Sequence, residues 1–331
     1  MTGTAPARRG PVRRLLASPE GRLAVIAVAV FVLMAALSPE RFLSLQNLTS
    51  MAFQFPEFAI LALAMALTML TGGIDLSVVG IANLSAIAAA LVMTRLTGAS
   101  GGTWVFMLAL GVSLAVGMAA GLFNGLLVAW LGLPPILATL GSGLIFTGFA
   151  IALTGGSAVM GLPAAAAWIG NSTVLGIPTP LILFALLAGG LSLVLTRTAF
   201  GMKVRMYGAN PLAARFAALD IDAMLIRVYV GSGALASFAG LVVMSRANSA
   251  KADYGSSYLL LAVLIAILGG VNPYGGYGRI IGVVLAVLSM QFLSSGLNMV
   301  GVSNFARELI WGSLLIFVMI VNTWRPARRR T

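Results

Sequence analysis

The chain has 331 residues, of which 60% are hydrophobic and only 8% charged, whereas a soluble domain carries about 25% charged residues. With a mean hydropathy of +1.04 over 34.1 kDa, so sparse a polar coat cannot wet a globule, and lipid must solvate most of the surface. There is no cysteine and no histidine, which excludes disulfides, thiol and imidazole catalysis and most transition-metal sites.

The N-terminus, Met1 to Arg22, is basic and leads into an apolar run, Leu23 to Leu37. The run lacks a convincing small-residue cleavage pattern and many spans follow it, so it reads as an uncleaved first helix. Apolar runs then recur at 23–38, 51–71, 77–94, 103–121, 135–154, 179–196, 223–245, 257–271, 280–299 and 306–323. These predict an all-α membrane protein of about ten transmembrane helices. The segment Leu122–Leu131 either extends the fourth span or forms a short extra helix. This divides the chain into a basic N-terminus (1–22), a membrane domain (23–324) with a polar loop at 197–222, and a basic tail (325–331).

The net charge of +12 reads as a topology signal rather than a nucleic-acid footprint. With the N-terminus in the cytoplasm, ten crossings place 15 Lys and Arg on that side, in the two termini and in the loops near Arg205, Arg215 and Arg279. The other side holds 5: Arg41, Arg95, Arg246, Lys251 and Arg307. Both termini are therefore expected to be cytoplasmic, in a multi-pass protein of the bacterial inner membrane.

In chain order, the first polar signal is Leu70-Thr71-Gly72-Gly73-Ile74-Asp75-Leu76-Ser77. Two glycines end a helix and Asp75 or Ser77 can cap the next. An aspartate beside a membrane span is costly unless satisfied, so the capping role is preferred over solute contact. Glycines at Gly111, Gly117, Gly121 and Gly125, and at Gly141 and Gly148, suit close helix approach. The loop at 197–222 contains Asn210-Pro211, an N-cap followed by a good first helical residue. A short helix is expected at about Pro211–Leu219. It could enter a partner protein's groove or lie on the membrane surface. A loose repeat of the first signal, Leu268-Gly269-Gly270-Val271-Asn272, follows the eighth span and hints at duplication. Candidate polar groups on a solute path are Gln54, Asn83, Asn124, Ser142, Gln291 and Asn298, each equally able to join helices to one another. Glu57 falls near the outer end of its span with no second acid in view for a proton relay.

Only two lysines exist, Lys203 and Lys251, and neither lies in a G-x-x-x-x-G-K-[ST] phosphate loop, so any ATP is hydrolysed by another polypeptide. At this point the resemblance becomes specific. Leu70–Ser77, Tyr207-Gly208-Ala209-Asn210-Pro211-Leu212-Ala213-Ala214-Arg215, Leu268–Arg279 and Gly296–Ser303 together resemble, in order, the motifs of ribose-type sugar permeases of ABC importers. The likeness spans about residues 40 to 323.

The resemblance implies a type II ABC importer permease fold. Its partners would be a cytoplasmic ATPase holding ATP and Mg, a periplasmic binding protein that selects a sugar-like solute, and a second permease. No cofactor would bind this chain itself. Residues 208–219 would be the coupling helix, using Gly208, Asn210, Pro211, Ala213, Ala214, Arg215 and Leu219, and Gly72, Gly73, Asp75 and Ser77 would form a motif near a gate. Ribose-type members carry acids just after the tyrosine that opens the eighth span. Here the sequence reads Tyr258-Leu259-Leu260-Leu261, closer to rhamnose or autoinducer systems built from two different permeases, so a heterodimer is favoured. Three rivals remain: a permease for nucleosides or branched-chain amino acids, an ATP-independent secondary transporter, and a membrane transferase. The secondary transporter lacks coupling acids, and the transferase lacks paired carboxylates.

Overall fold

The computed structural model describes residues 18–97 and 102–323. The basic arm before Ser18 and the tail after Thr323 lie outside the described residues. Each predicted span overlaps one helix or, for the second, two. In order, α1 is Pro19–Leu37, followed by the short α2, Pro39–Phe42. The second span is built from α3, Leu45–Gln54, and α4, Pro56–Met69, with Pro56 setting the joint between them because its ring removes one ladder hydrogen bond. Then come α5, Val78–Thr97, α6, Thr103–Ala129, and α7, Pro135–Thr154. Leu122–Ala129 thus extends the fourth span rather than forming a helix of its own.

After α7 a loop carries a 3-10 turn, Ala164–Ala167, and α8, Trp168–Asn171. It also holds a two-stranded hairpin, β1 Thr173–Val174 paired with β2 Ile177–Pro178. The chain continues with α9, Thr179–Arg197, α10, Ala199–Ala209, α11, Pro211–Phe216, and α12, Ile221–Ala247. It ends with α13, Tyr258–Leu268, α14, Ile280–Met299, and α15, Asn304–Thr323. Among the described residues, eight segments are long and apolar enough to cross a membrane, while α13 is apolar but short. At about 1.5 Å per residue, an 11-residue helix spans only about half of a hydrocarbon core.

Helix α4 is the centre of the molecule, with every residue from Pro56 to Met69 buried. Its run is apolar all round, as a helix enclosed by other helices requires. Helices α12, α13, α9 and α14 pack around it. The most extensive pairing is α6 with α12, where a side chain on Gly117 or Gly121 would strike the Gly233 or Tyr229 carbonyl at 2.5 and 2.3 Å. Lipid offers helices no hydrophobic reward for associating, so backbone approach through small residues supplies the packing. Gly111, Gly141 and Gly148 instead have nothing within 4 Å of the position a methyl group would take, so only part of the expected glycine set serves packing within this chain.

The suspected duplication has a backbone counterpart. Helix α4 ends with Gly72 at φ +78° and α13 with Gly270 at φ +82°. In each, an amide beyond the helix reaches back five residues: Gly73 N–H to Thr68 O at 3.3 Å and Val271 N–H to Ala266 O at 3.0 Å. This is the left-handed glycine termination, which a Cβ would strain.

Candidate functional site

Polar side chains gather at two levels of the fold. The first lies toward the end at which α1 begins and α9 finishes, called here the basic end. There the turn after α4 runs through Asp75, which is fully buried. Its Oδ1 accepts from the Ser77 amide at 3.0 Å and the Ser77 hydroxyl at 2.6 Å. Its Oδ2 accepts from the Ser232 hydroxyl of α12 at 2.8 Å. Asn124 of α6 donates to the Ser77 oxygen at 2.7 Å. One residue earlier, the Leu76 amide donates to Thr139 of α7, whose hydroxyl also lies 3.1 Å from the Ile74 carbonyl. The turn is thereby tied to three helices through Ile74 to Ser77, and the carboxylate accepts three hydrogen bonds, all from protein donors.

Beside this turn three of the sequence motifs meet through their backbones. The Gly276 amide donates to the Leu70 carbonyl at 3.0 Å. A methyl on Gly208 would lie 2.0 Å from that carbonyl and 2.4 Å from the Gly276 nitrogen. Gly275, in turn, sits against Gly72 N and Gly208 O, each 2.8 Å from a methyl position. Gly208, near the end of α10, is thus wedged between the turns that close α4 and α13. Nothing in the spacing of the motifs announced this meeting. Burial holds the neighbouring Tyr207 phenol above its usual range, with Arg215 opposing the rise, so Tyr207 stays neutral here.

Past the wedge, Asn210 caps α11, accepting from the Ala213 amide at 3.0 Å, with Pro211 at the first position. The helix stops at Phe216, short of the expected Leu219. Ala218 adopts φ +53°, and Asp220 caps α12 through the Ala223 amide at 3.1 Å, so the chain must reverse between them. Ala214 is buried, whereas Leu212 and Phe216, four residues apart, are 64% and 85% exposed. Residues i and i+4 share a helix face, so α11 turns its small side inward and presents an apolar pair outward.

The second level lies toward the opposite end, where a pocket of about 490 Å³ opens. Gln54, Glu57, Arg246, Tyr258, Gln291 and Arg307 are among its lining residues. Arg246 Nη1 donates to Glu57 Oε1 at 2.6 Å, and the Tyr258 hydroxyl donates to Oε2 at 2.8 Å. The tyrosine without acidic neighbours in sequence therefore meets an acid from α4 instead. By its charge alone Arg246 is a topology residue, and no local pattern links it to Glu57 across 189 positions. Because the arginine side chain is 26% and the glutamate 10% exposed, removing one partner strands a poorly solvated charge, at about 3–5 kcal/mol for such pairs. Glu57→Gln and Arg246→Gln alone are each expected to lower the melting temperature in detergent more than the double variant does. Additive losses would disprove the pairing.

Of the suggested path residues, Gln54 and Gln291 come together in this pocket. Asn83 instead donates to the Ala252 and Tyr254 carbonyls, both at 2.9 Å. Asn124 belongs to the Asp75 network, Ser142 donates to Thr139 O at 3.3 Å, and Asn298 is exposed. Among the described residues no three carboxylates, cysteines or histidines lie close enough to hold a metal ion.

Residues 47–321 match the family described as branched-chain amino acid transport system / permease component. The chain is also similar to the autoinducer 2 import system permease protein LsrD of Klebsiella pneumoniae, with 35% identity over 307 residues, covering 91% of this chain and 90% of the relative. The protein of that name from an Enterobacter species is 35% identical over 307 residues, covering 91% of each. That of Yersinia pseudotuberculosis is 33% identical over 295 residues, covering 87% and 86%.

Proposed function

The chain belongs to this family of transport-system permeases, as a carbohydrate-type ABC importer permease, and from that premise we propose how its parts divide the work. Solute enters through the polar pocket around Gln54, Glu57 and Gln291, from the periplasmic side. The basic end faces the cytoplasm, as the excess of Lys and Arg there supports. A separate ATPase, carrying ATP and Mg, docks on α11 through Leu212 and Phe216. A periplasmic binding protein delivers the solute, and a second, different permease completes the path. The solute is sugar-like, of the autoinducer 2 kind named for the relatives, and its hydroxyls suit amide and hydroxyl partners better than fixed charge.

The observation that carries this reading is the wedge of Gly208 between the turns after α4 and α13. A tilt of α11 cannot be absorbed by a soft loop, because α10 touches both turns through backbone atoms. Movement imposed by an ATPase therefore reaches the buried α4 and the short α13 as a displacement of their ends. Helix α13 spans part of the membrane only, so a shift of its end opens or closes a path beside α4.

The test uses the complex purified from native membranes and reconstituted with its ATPase and candidate binding protein–sugar pairs. Ala213→Pro or Arg215→Glu in α11 is expected to leave insertion and ATPase activity intact while reducing ATP-driven uptake at least about tenfold, or 1.4 kcal/mol of coupling. Unchanged uptake in these variants, or uptake by the chain without any ATPase, overturns the reading. Because the chain has no cysteine, single cysteines at Leu212 and Leu175 report the orientation by impermeant labelling without background.

A further inference from the structure

A second cleft, of about 890 Å³, lies at the basic end between the start of α1, Arg205 of α10, the turn after α13 and Met319 of α15. It stands apart from the solute pocket, and its chemistry is amphipathic. Three arginines line it, Arg22, Arg205 and Arg279, against one acid, Glu20. Glu20 is taken by Arg279 at 3.0 Å, and Arg22 and Arg205 form no ion pair among the described residues. The floor is apolar, made of Leu23, Ile267 and Val271, all under 9% exposed.

We propose that this cleft binds the phosphate headgroup of an anionic phospholipid of the inner leaflet. Arginine forks fit phosphate oxygens, and two of them stand here without an acidic partner. Three observations favour a lipid over an acidic protein segment. Tyr274 and Tyr277 line the cleft while 81% and 61% exposed, the placement of tyrosines at a membrane interface. Beyond the cleft, α1 exposes Val25, Ile26, Val28 and Val32, an apolar surface on which acyl chains can lie. The surface suited to a protein partner, Leu212 with Phe216, is on α11 and does not line the cleft.

The site has a consequence for coupling. Its far wall, Asn272 to Gly278, is the same turn whose Gly276 amide holds the Leu70 carbonyl. A headgroup clamped between Arg22 and Arg205 braces that turn against α1 and α10. Anionic lipid therefore stabilises the junction through which α11 acts, a step that rests on the function proposed above, whereas binding itself does not.

The experiment reads lipid retention by native mass spectrometry of the purified chain in detergent doped with phosphatidylglycerol or phosphatidylcholine. Wild type is expected to retain one phosphatidylglycerol and no comparable phosphatidylcholine. Arg22→Gln with Arg205→Gln is expected to weaken retention about 25-fold, at roughly fivefold for each arginine near a membrane surface. Arg95→Gln, at the other end of the molecule, should leave retention unchanged. Equal retention of both lipids by wild type, or full retention by the double variant, overturns the proposal. Displacement by millimolar inorganic phosphate would make the cleft a free-phosphate site and would also overturn it. Loss of ATPase co-purification with unchanged lipid retention would assign the arginines to the protein partner instead. Because the wild-type comparison of two lipids needs no variant, a misfolded double variant cannot hide the answer. Failure of ATP-driven uptake would bear on the function and not on this binding.

Discussion

Gly208→Ala is expected to reduce ATP-driven uptake by about a hundredfold while the protein still inserts and accumulates. The added methyl would lie 2.0 Å from the Leu70 carbonyl oxygen and 2.4 Å from the Gly276 nitrogen. Neither is the far end of a flexible side chain. Both belong to helix-closing turns fixed by their own hydrogen bonds, Gly72 N–H to Met69 O at 2.9 Å and Gly270 N–H to Ile267 O at 2.9 Å. Overpacking where neighbours cannot yield costs about 1–3 kcal/mol, and the upper end of that range is about a hundredfold in the population of the packed junction. The chain escapes by parting α10 from the two turns, which leaves the spans intact and severs the mechanical link. Gly111→Ala and Gly148→Ala are the controls, since no atom lies within 4 Å of either methyl position. Near-wild-type uptake by Gly208→Ala would show that the junction opens during transport at no cost, and the coupling route would then have to run elsewhere.

The second large effect is expected at Asp75. Asp75→Ala leaves the Ser77 amide, the Ser77 hydroxyl and the Ser232 hydroxyl without their acceptor in a fully buried site. Each stranded buried donor costs about 1–3 kcal/mol, so a loss of about 3–5 kcal/mol is expected once hydroxyls find second choices. That is a large part of a typical stability, and it should appear as low yield and early aggregation on heating in detergent. Asp75→Asn should recover most of the loss. Its amide oxygen can still accept from Ser77, and its NH2 can donate to a rotated Ser232 hydroxyl. Solute choice should be the same in Asp75→Asn as in wild type, because the side chain is fully buried and both of its oxygens are held by protein donors. A stable Asp75→Asn protein with altered solute preference would put Asp75 on the solute path instead.

These two sites differ in how far local sequence revealed them. Asp75 was readable as a cap, because a Gly-Gly break followed by Asp-x-Ser prescribes a turn that bonds its own backbone. That Ser232, 157 residues away, completes the network was not readable, because one serine among the small residues of a span carries no periodic signal. Gly208 was readable only as one letter of a motif. Its reason, a backbone wedge against Leu70 and Gly276, exists only once three separate turns are brought to one point. Glu57 shows the opposite error of emphasis. It looks isolated while only a second acid counts as company, whereas its partners are a cation and a phenol on α12 and α13. The end of α11 at Phe216 rather than Leu219 has the same origin, since the cap of the following helix at Asp220 decides where the chain must turn.

What the sequence determined by itself is the class of solvent and the helical character of the apolar runs. Both follow from composition and run length, because a backbone in lipid must satisfy its own hydrogen bonds and so becomes helical wherever about 20 apolar residues follow one another. Local turn chemistry was legible for a similar reason, since caps and glycine terminations are set within a few residues. The tertiary structure alone decided which polar groups share a site, which glycines touch another backbone, and that α4 is enclosed while α1 is not. Between membrane helices the driving force is contact rather than hydrophobicity. Contact depends on rotation, tilt and register, quantities set by all the helices together and carried by no single stretch of the chain.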